Sequence, residues 1–317
     1  MASFSIVVPK DQGSQRVDKF LASNETVINQ MGIANRSHLK TVIQSILINN
    51  NDGKFSSKVK SGDVIVVDWE EVVPNDIIPE DIPLNIIYED QDVTLVNKAQ
   101  GMVTHPAAGN WTGTLVNALL FHWGQNSLDV KLYRPGIVHR LDKDTSGLII
   151  TARNLLAQEW LQNQFKNRRV KKEYIAIVCG RPPAVSGNIK TQIIRDPKNR
   201  KRFKAVTNTE SGKFAHSIYR CIACYGGFSL MRIKLKTGRT HQIRVHMKYI
   251  GCPILGDPIY GNKSTLFPKA TLMLHARLLE IRLPNQQEFS SFKAPVPIRF
   301  KKVLKVLHGK YEKCVLK

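Results

Sequence analysis

Apolar residues recur at helical spacing over Leu115 to Phe121 and Leu155 to Phe165, and both stretches predict helices. Shorter apolar or alternating runs, Val93 to Val96, Gly147 to Thr151, Glu173 to Cys179 and Ser229 to Leu235, predict strands. Helices and strands do not alternate regularly enough for a doubly wound fold, so the expected class is α+β with a mixed sheet. Upstream, Arg16 to Leu21 opens a helical pattern and Ser37 to Ile43 gives a second, with Ser37 as its N-cap. Lys58 to Val67 then reads as a turn feeding a short strand. These elements outline a small unit over about residues 14–74. From Glu70 to Asp92 the chain carries eight acids and no Lys or Arg, with Pro74, Pro79 and Pro83 breaking any helix. Residues 75–92 are therefore expected to be a linker, and 93–310 the larger domain.

At 317 residues the chain is long enough for one large domain and one small one. Hydrophobic content of 42% with 23% charged residues is ordinary for a soluble protein, but a net charge of +22 is not. Such an excess makes a nucleic acid or another anionic surface the expected partner. No apolar run approaches the ~20 residues that span a bilayer, and the first residues lack the basic flank and apolar stretch of a signal peptide. A cytoplasmic protein is expected. Five cysteines, an odd number, fit reduced thiols. Cys221 and Cys224 have CxxC spacing but no second pair for zinc, and the alternation from Ser217 to Tyr225 is expected to send them to opposite faces of a strand.

The most informative stretch is His139-Arg140-Leu141-Asp142-Lys143-Asp144-Thr145-Ser146-Gly147-Leu148. It puts a carboxylate between cations, ahead of a small-residue turn whose glycine permits close backbone approach. Three further segments stand with it. Lys171-Lys172-Glu173-Tyr174 opens an alternating strand with a tyrosine after a basic run; Thr237-Gly238-Arg239-Thr240-His241-Gln242-Ile243-Arg244-Val245-His246 packs polar donors into a turn and helix; Leu255 to Gly261 is rich in turn residues.

Together with Asn97-Lys98 and Gly101 to Pro106, these motifs resemble the RluA-type pseudouridine synthases over about residues 80–300. Ile82 to Asp90, Gly109-Asn110 and Arg134 to Asp144 are similar to the RluD branch, which modifies large-subunit ribosomal RNA. The resemblance implies a largely antiparallel central sheet with flanking helices, and a catalytic role for Asp142, with Asp144 as its internal competitor. It also implies that Arg244 pairs with Asp142, that Tyr174 stacks on the target base and that its hydroxyl serves in proton transfer. Arg140 is implied as the side chain that enters the helix when a uridine is flipped out. One departure is Ala99-Gln100, where the family has proline after the lysine, which loosens the turn before Gly101. The isomerisation needs neither redox equivalents nor external energy, so no cofactor is expected.

Histidines 241 and 246 are five apart, which does not place them on one helix face as a zinc pair, and no metal is expected. His105 and His139 read as loop-ordering hydrogen-bond donors. Arg239, Lys171, Lys172, and the run Arg195, Lys198, Arg200, Lys201, Arg202 and Lys204 are expected to contact RNA phosphate. The C-terminal lysines 301, 302, 305, 310, 313 and 317 fit either that role or a solvated helix face. The N-terminal unit resembles the αL RNA-binding domain shared with a small-subunit ribosomal protein, with Arg36 and Lys40 on its basic helix and Asn49-Asn50-Asn51 in place of a tighter hairpin. The expected partner is large-subunit ribosomal RNA or a pre-ribosomal particle, with no membrane and no obligate protein partner, and the chain is expected to be a monomer. The alternatives are the same chemistry on transfer RNA, or a non-catalytic ribosome-assembly factor.

Overall fold

The computed structural model describes residues 2–10, 12–31, 39–40, 42–69, 77–106, 110–124, 136–199, 202–207, 209 and 211–312. These fall into two compact units, one built from residues up to 77 and one from residue 78 onward.

In the first unit, β1 (Ala2–Val7), β6 (Val64–Trp69), β3 (Ile43–Ile48) and β4 (Asn51–Asp52) form an antiparallel sheet in the order β1-β6-β3-β4. A small ribbon joins β2 (Gln15–Arg16) to β5 (Lys58–Val59). Helices α1 (Val17–Ser23) and α2 (Glu25–Met31) contribute Val17, Phe20, Leu21 and Val27 to a core shared with Leu39, Val42, Ile65 and Val67. The unit thus begins with β1 rather than at residue 14. Phe4 and Ile6 alternate with exposed Ser3 and Ser5, as a one-sided strand requires. Asn49 and Asn50, with φ of 51° and 64°, close a two-residue hairpin in which Ile48 faces Asn51. Both residues have the left-handed backbone of a type I′ turn, which asparagine tolerates, so the hairpin is tight rather than open.

The second unit is a mixed ten-stranded sheet. Its order is β12 (Phe203–Val206), β11 (Ser186–Arg195), β13 (Lys213–Tyr225), β14 (Phe228–Leu235), β10 (Lys171–Cys179), β15 (Leu274–Arg282), β9 (Ser146–Ala152), β8 (Val93–Lys98) and β7 (Ile86–Glu89), with β16 (Phe289–Lys293) also on β15. All of these pairings are antiparallel except β15 with β9. Helix α3 (Leu115–Trp123) starts at a Thr114–Asn117 capping box. Helix α4 (Leu155–Lys166) is capped by Asn154 and turns Ala157 and Leu161 onto β8, β9 and β15. On the β11–β13 side, Val245 of α5 (Gln242–Tyr249) packs with Ile193, Ala215 and Tyr260. The C-terminal α6 (Ile298–Lys310) buries Phe300, Val303 and Leu307 and leaves Lys301, Lys302, Lys305 and Lys310 exposed.

Residues 78–92, expected to lie in a linker, belong to this sheet unit. Ile86–Glu89 pairs with β8, Glu80 accepts from the Gly113 N–H, and Glu89 lies 3.0 Å from His122. The acids serve as local turn and ion-pair partners. Cys221 and Cys224 also depart from expectation. A bulge between Cys221 and Ala223 shifts the β13 register, so both thiols are buried on the same side with their sulfurs 3.5 Å apart. No helix among the described residues is long and apolar enough to cross a membrane.

Candidate active site

Asp142 sits on the loop that enters β9, and four successive carbonyls of that loop are each bonded, one within the loop and three from segment 100–104. Thr104 Oγ1 donates to Leu141 O at 2.9 Å, Thr145 N–H to Asp142 O at 3.0 Å, Gly101 N–H to Lys143 O at 2.9 Å, and Gln100 Nε2 to Asp144 O at 3.0 Å. The backbone under the carboxylate is therefore held by segment 98–104. Gln100, at the departure from the family pattern, tightens this region instead of loosening it: its amide also donates to Leu272 O and accepts from Thr271 Oγ1.

Lys98 completes the clamp. Only 1% exposed, its ammonium donates to the carbonyls of Ala99, Met102 and Lys143 at 2.8, 2.8 and 3.1 Å. Burial pulls its pKa down to about 7, against the opposing charges of Asp142 and Asp144 and with Arg299 adding to the fall. Gly147 lets the two parallel strands meet. Its φ is +113°, and a Cβ there would lie 2.2 Å from Ala276 O.

The turn after β14 and the first turn of α5 supply the opposing wall. Gln242 braces that turn: its Oε1 accepts from Thr237 Oγ1 and Arg239 N–H, and its Nε2 donates to His216 O and Ser217 Oγ. Arg244 is 3% exposed and directs Nη1 to Asp142 Oδ2 at 3.4 Å. Its stronger partner is Asp257. Nε and Nη2 each reach an Asp257 oxygen at 2.8 Å, a bidentate geometry that fixes the guanidinium plane. The expected Arg244–Asp142 pair is thus a single longer contact made by an arginine already anchored. Burial opposes ionisation of Asp257, but the bonds and charge of Arg244 and the N–H groups of Tyr260 and Ile259 outweigh it and hold the carboxyl below its usual range.

Tyr174, on β10, is buried and lines the same cleft as Asp142 and Arg244. Burial, reinforced by the charge of Asp142, pushes its hydroxyl well above the ordinary tyrosine range. It stays protonated at neutral pH, as a donor rather than a base. His241 stands at the N-terminus of α5 with Nε2 3.9 Å from Asp142 Oδ2.

The cleft encloses about 1250 Å³, above the roughly 300–1,000 Å³ of ordinary small-molecule pockets. Nine lysines and arginines line it against three acids, Asp142, Glu173 and Glu280, which suits a polyanion. Arg140 is exposed at its edge, and Arg239, Lys171 and Lys172 line it. Their states differ. Lys171 is bound to Glu280 at 2.5 Å, Arg239 donates Nε–H to Phe214 O, and Lys172 lies over the Phe165 ring at 5.2 Å.

The remaining positions resolve differently. At His139 the Nε2 accepts from the Ile150 N–H rather than donating, the ring stacks on Phe165 at 4.5 Å, and burial followed by the Lys172 charge lowers its pKa to about 3. His105 Nδ1 donates to Pro106 O. His246 is enclosed by Thr191 and Ser217, with burial lowering its pKa to about 4. In the N-terminal unit Lys40 lies 3.3 Å from Asp18, which also binds Arg16. Arg36, Ser37, Arg200, Lys201 and the lysines at 313 and 317 lie outside the described residues. Sequence reasoning singled out the loop Leu255 to Gly261 for its turn residues without giving Asp257 or Tyr260 a role, and missed the clamp role of Lys98. Asp257 did leave a trace: it is the only acid between Glu210 and Glu280, so a buried arginine in that stretch had one nearby candidate.

Residues 92–249 match the RNA pseudouridylate synthase family. The chain is 41% identical over 299 residues to the uncharacterized RNA pseudouridine synthase YlyB of Bacillus subtilis, covering 94% of this chain and 95% of that protein. It is 40% identical over 298 residues to the ribosomal large subunit pseudouridine synthase D of Borreliella burgdorferi, covering 91% and 88%. The solved structure of human RNA pseudouridylate synthase domain containing 1 superposes with a TM-score of 0.57 at 26% identity, over 75% of this chain and 91% of that one. Identity of this order along almost the whole length shows that the chain belongs to the RNA pseudouridine synthases, isomerases that convert uridine in RNA to pseudouridine.

Proposed function

We propose that this enzyme modifies uridines of large-subunit ribosomal RNA in the cytoplasm, with Asp142 acting on the ribose of a uridine drawn out of its helix. The observation that carries the reading is the convergence of Asp142, Arg244 and Tyr174, from a loop, a helix and a strand far apart in sequence, on one cationic cleft. In the reaction the bond from ribose C1′ to N1 breaks, the base turns, and C1′ joins C5; C5 loses its proton and N1 gains one. Asp142 attacks C1′ as a nucleophile or removes a proton from the sugar as a base. Tyr174 offers an aromatic face to the detached base, a contact worth about 1–3 kcal/mol. Arg140 fills the space the uridine leaves, offsetting unstacking. The resemblance to synthases named for the large ribosomal subunit supports the choice of RNA, and the N-terminal unit is assigned to raising RNA affinity.

The test is to incubate the full chain with transcripts of large-subunit ribosomal RNA and of transfer RNA, then map carbodiimide-dependent reverse-transcription stops. New stops in the ribosomal transcript, absent with Asp142→Asn, are expected. Stops only in transfer RNA move the substrate, absence of any stop favours an assembly factor, and full activity in Asp142→Asn removes the catalytic assignment.

A further inference from the structure

We infer that His241 is a positioning residue for Asp142, a neutral imidazole fixed in one tautomer by Tyr260 so that its Nε2–H faces the carboxylate. The inference rests on the reading of Asp142 as the reacting group.

The tautomer follows from donor bookkeeping. The Tyr260 hydroxyl lies 2.9 Å from Phe203 N and 2.9 Å from His241 Nδ1. A backbone N–H can only donate, so the phenol oxygen accepts from Phe203, and among the described residues His241 Nδ1 is the acceptor that the Tyr260 proton meets. The ring proton is then on Nε2, the nitrogen 3.9 Å from Asp142 Oδ2. That separation is longer than a hydrogen bond, as such contacts often are before substrate closes the site. Arg244 approaches the same oxygen, Oδ2, at 3.4 Å. Both groups stand on the Oδ2 side, which leaves Oδ1 as the atom for a bound uridine.

The backbone supports a placed side chain. His241 has φ 55° and ψ 17°, in the left-handed region that non-glycine residues seldom adopt, and it makes no side-chain cap for α5. The imidazole instead meets Phe203 and Tyr260 edge-on, at 5.7 Å and 5.6 Å between centroids. Tyr260 is in turn held under the Arg244 guanidinium at 5.2 Å. The ring is buried enough to favour its neutral form, against the charge of Asp142 and with that of Arg244 adding to the effect. A neutral ring can donate to Asp142 without quenching the carboxylate through an ion pair.

The experiment uses the full chain, RNA that the wild type modifies, uridines tritiated at C5, and tritium release under single-turnover conditions. His241→Asn retains a side chain that tolerates the left-handed backbone and reaches Tyr260, but has nothing at the Nε2 position. Its maximal rate is expected to fall about 10–100-fold, the cost of a misplaced reacting group, with RNA affinity and melting temperature unchanged. His241→Gln, which restores an amide donor near Nε2, is expected to recover most of the loss. Tyr260→Phe, which releases the tautomer, is expected to lose about tenfold in rate with affinity retained. Wild-type turnover in His241→Asn beside an inactive Asp142→Asn overturns this inference alone, as does a rate loss matched by lost RNA binding or lost stability. Full activity in Asp142→Asn overturns the underlying reading instead.

Discussion

Arg244 spends its planar, two-pronged face on Asp257, with both bonds at 2.8 Å, and gives Asp142 a single contact at 3.4 Å. Asp257 is thus the residue that aims the arginine. Asp257→Ala leaves a buried guanidinium without its main partner, which costs about 3–5 kcal/mol. A fall of that size in the unfolding free energy measured by urea denaturation, with lost activity, is expected. Asp257→Asn also probes pH. The folded Asp257 carboxyl is depressed, so its ionic stabilisation is present above about pH 4, the unfolded value, and is lost as pH falls through the folded value. The stability gap between wild type and Asp257→Asn should therefore close on acidification and be flat above pH 5. A gap that widens toward acid would refute the assignment.

Gly147 and Gly101 separate close approach from backbone strain. Both have positive φ, but a Cβ at Gly101 meets nothing within 4 Å, whereas one at Gly147 meets Ala276 O at 2.2 Å. Gly101→Ala should cost about 1–3 kcal/mol, the strain alone. Gly147→Ala must part β9 from β15, moving Ser146 and the Asp142 loop, and should exceed about 4 kcal/mol. Equal costs in thermal denaturation would show that the strand contact is not tight.

These cases also mark what was legible in the sequence. Asp142, Tyr174 and Arg244 each lie in an unbroken motif, and the family resemblance those motifs carry implied their meeting in one cleft. Asp257 could not, because its role depends on a fold that brings residue 257 against residue 244. The β9 pattern was clear because Leu148, Ile149 and Ile150 form one unbroken, buried apolar run, and α4 because Ala157 and Leu161 recur at helical spacing on its buried side. Ile86–Glu89 was not, because all four residues are half-buried and no alternation marks the strand. The Cys221 bulge escaped for another reason: a one-residue shift changes which face a side chain occupies without changing the local pattern. The alternation of Phe4 and Ile6 was present and readable, and β1 is a strand that sequence reasoning had the means to find.

Lys98 predicts a pH dependence of opposite origin. Its folded pKa of about 7 lies below the unfolded ~10.4, so the unfolded chain binds more protons between these values and stability rises with pH across that window. Measured as wild type minus Lys98→Met, which cancels other groups, the difference should shift in favour of wild type by about 2 kcal/mol from pH 7 to pH 9. A flat difference would mean that the ammonium is not desolvated in the folded enzyme.

Lys171 and Lys172 are adjacent in sequence and both line the cleft, yet their charges are not equally available to RNA. Lys171 is paired with Glu280 at 2.5 Å. Lys172 makes no ion pair among the described residues; its Nζ lies over Phe165 and 3.6 Å from where a Cβ on Gly238 would stand, so it reaches toward the opposing turn. A phosphate that meets Lys172 releases counterions, and each such contact adds about 0.7–0.9 to the slope of log affinity against log salt. Lys172→Gln should flatten that slope by about this amount, and Lys171→Gln by less than half of it. Filter-binding isotherms between low and moderate potassium chloride measure both slopes. Equal slopes for the two variants would mean that Glu280 gives up Lys171 when RNA binds, and the selective role of Lys172 would fall.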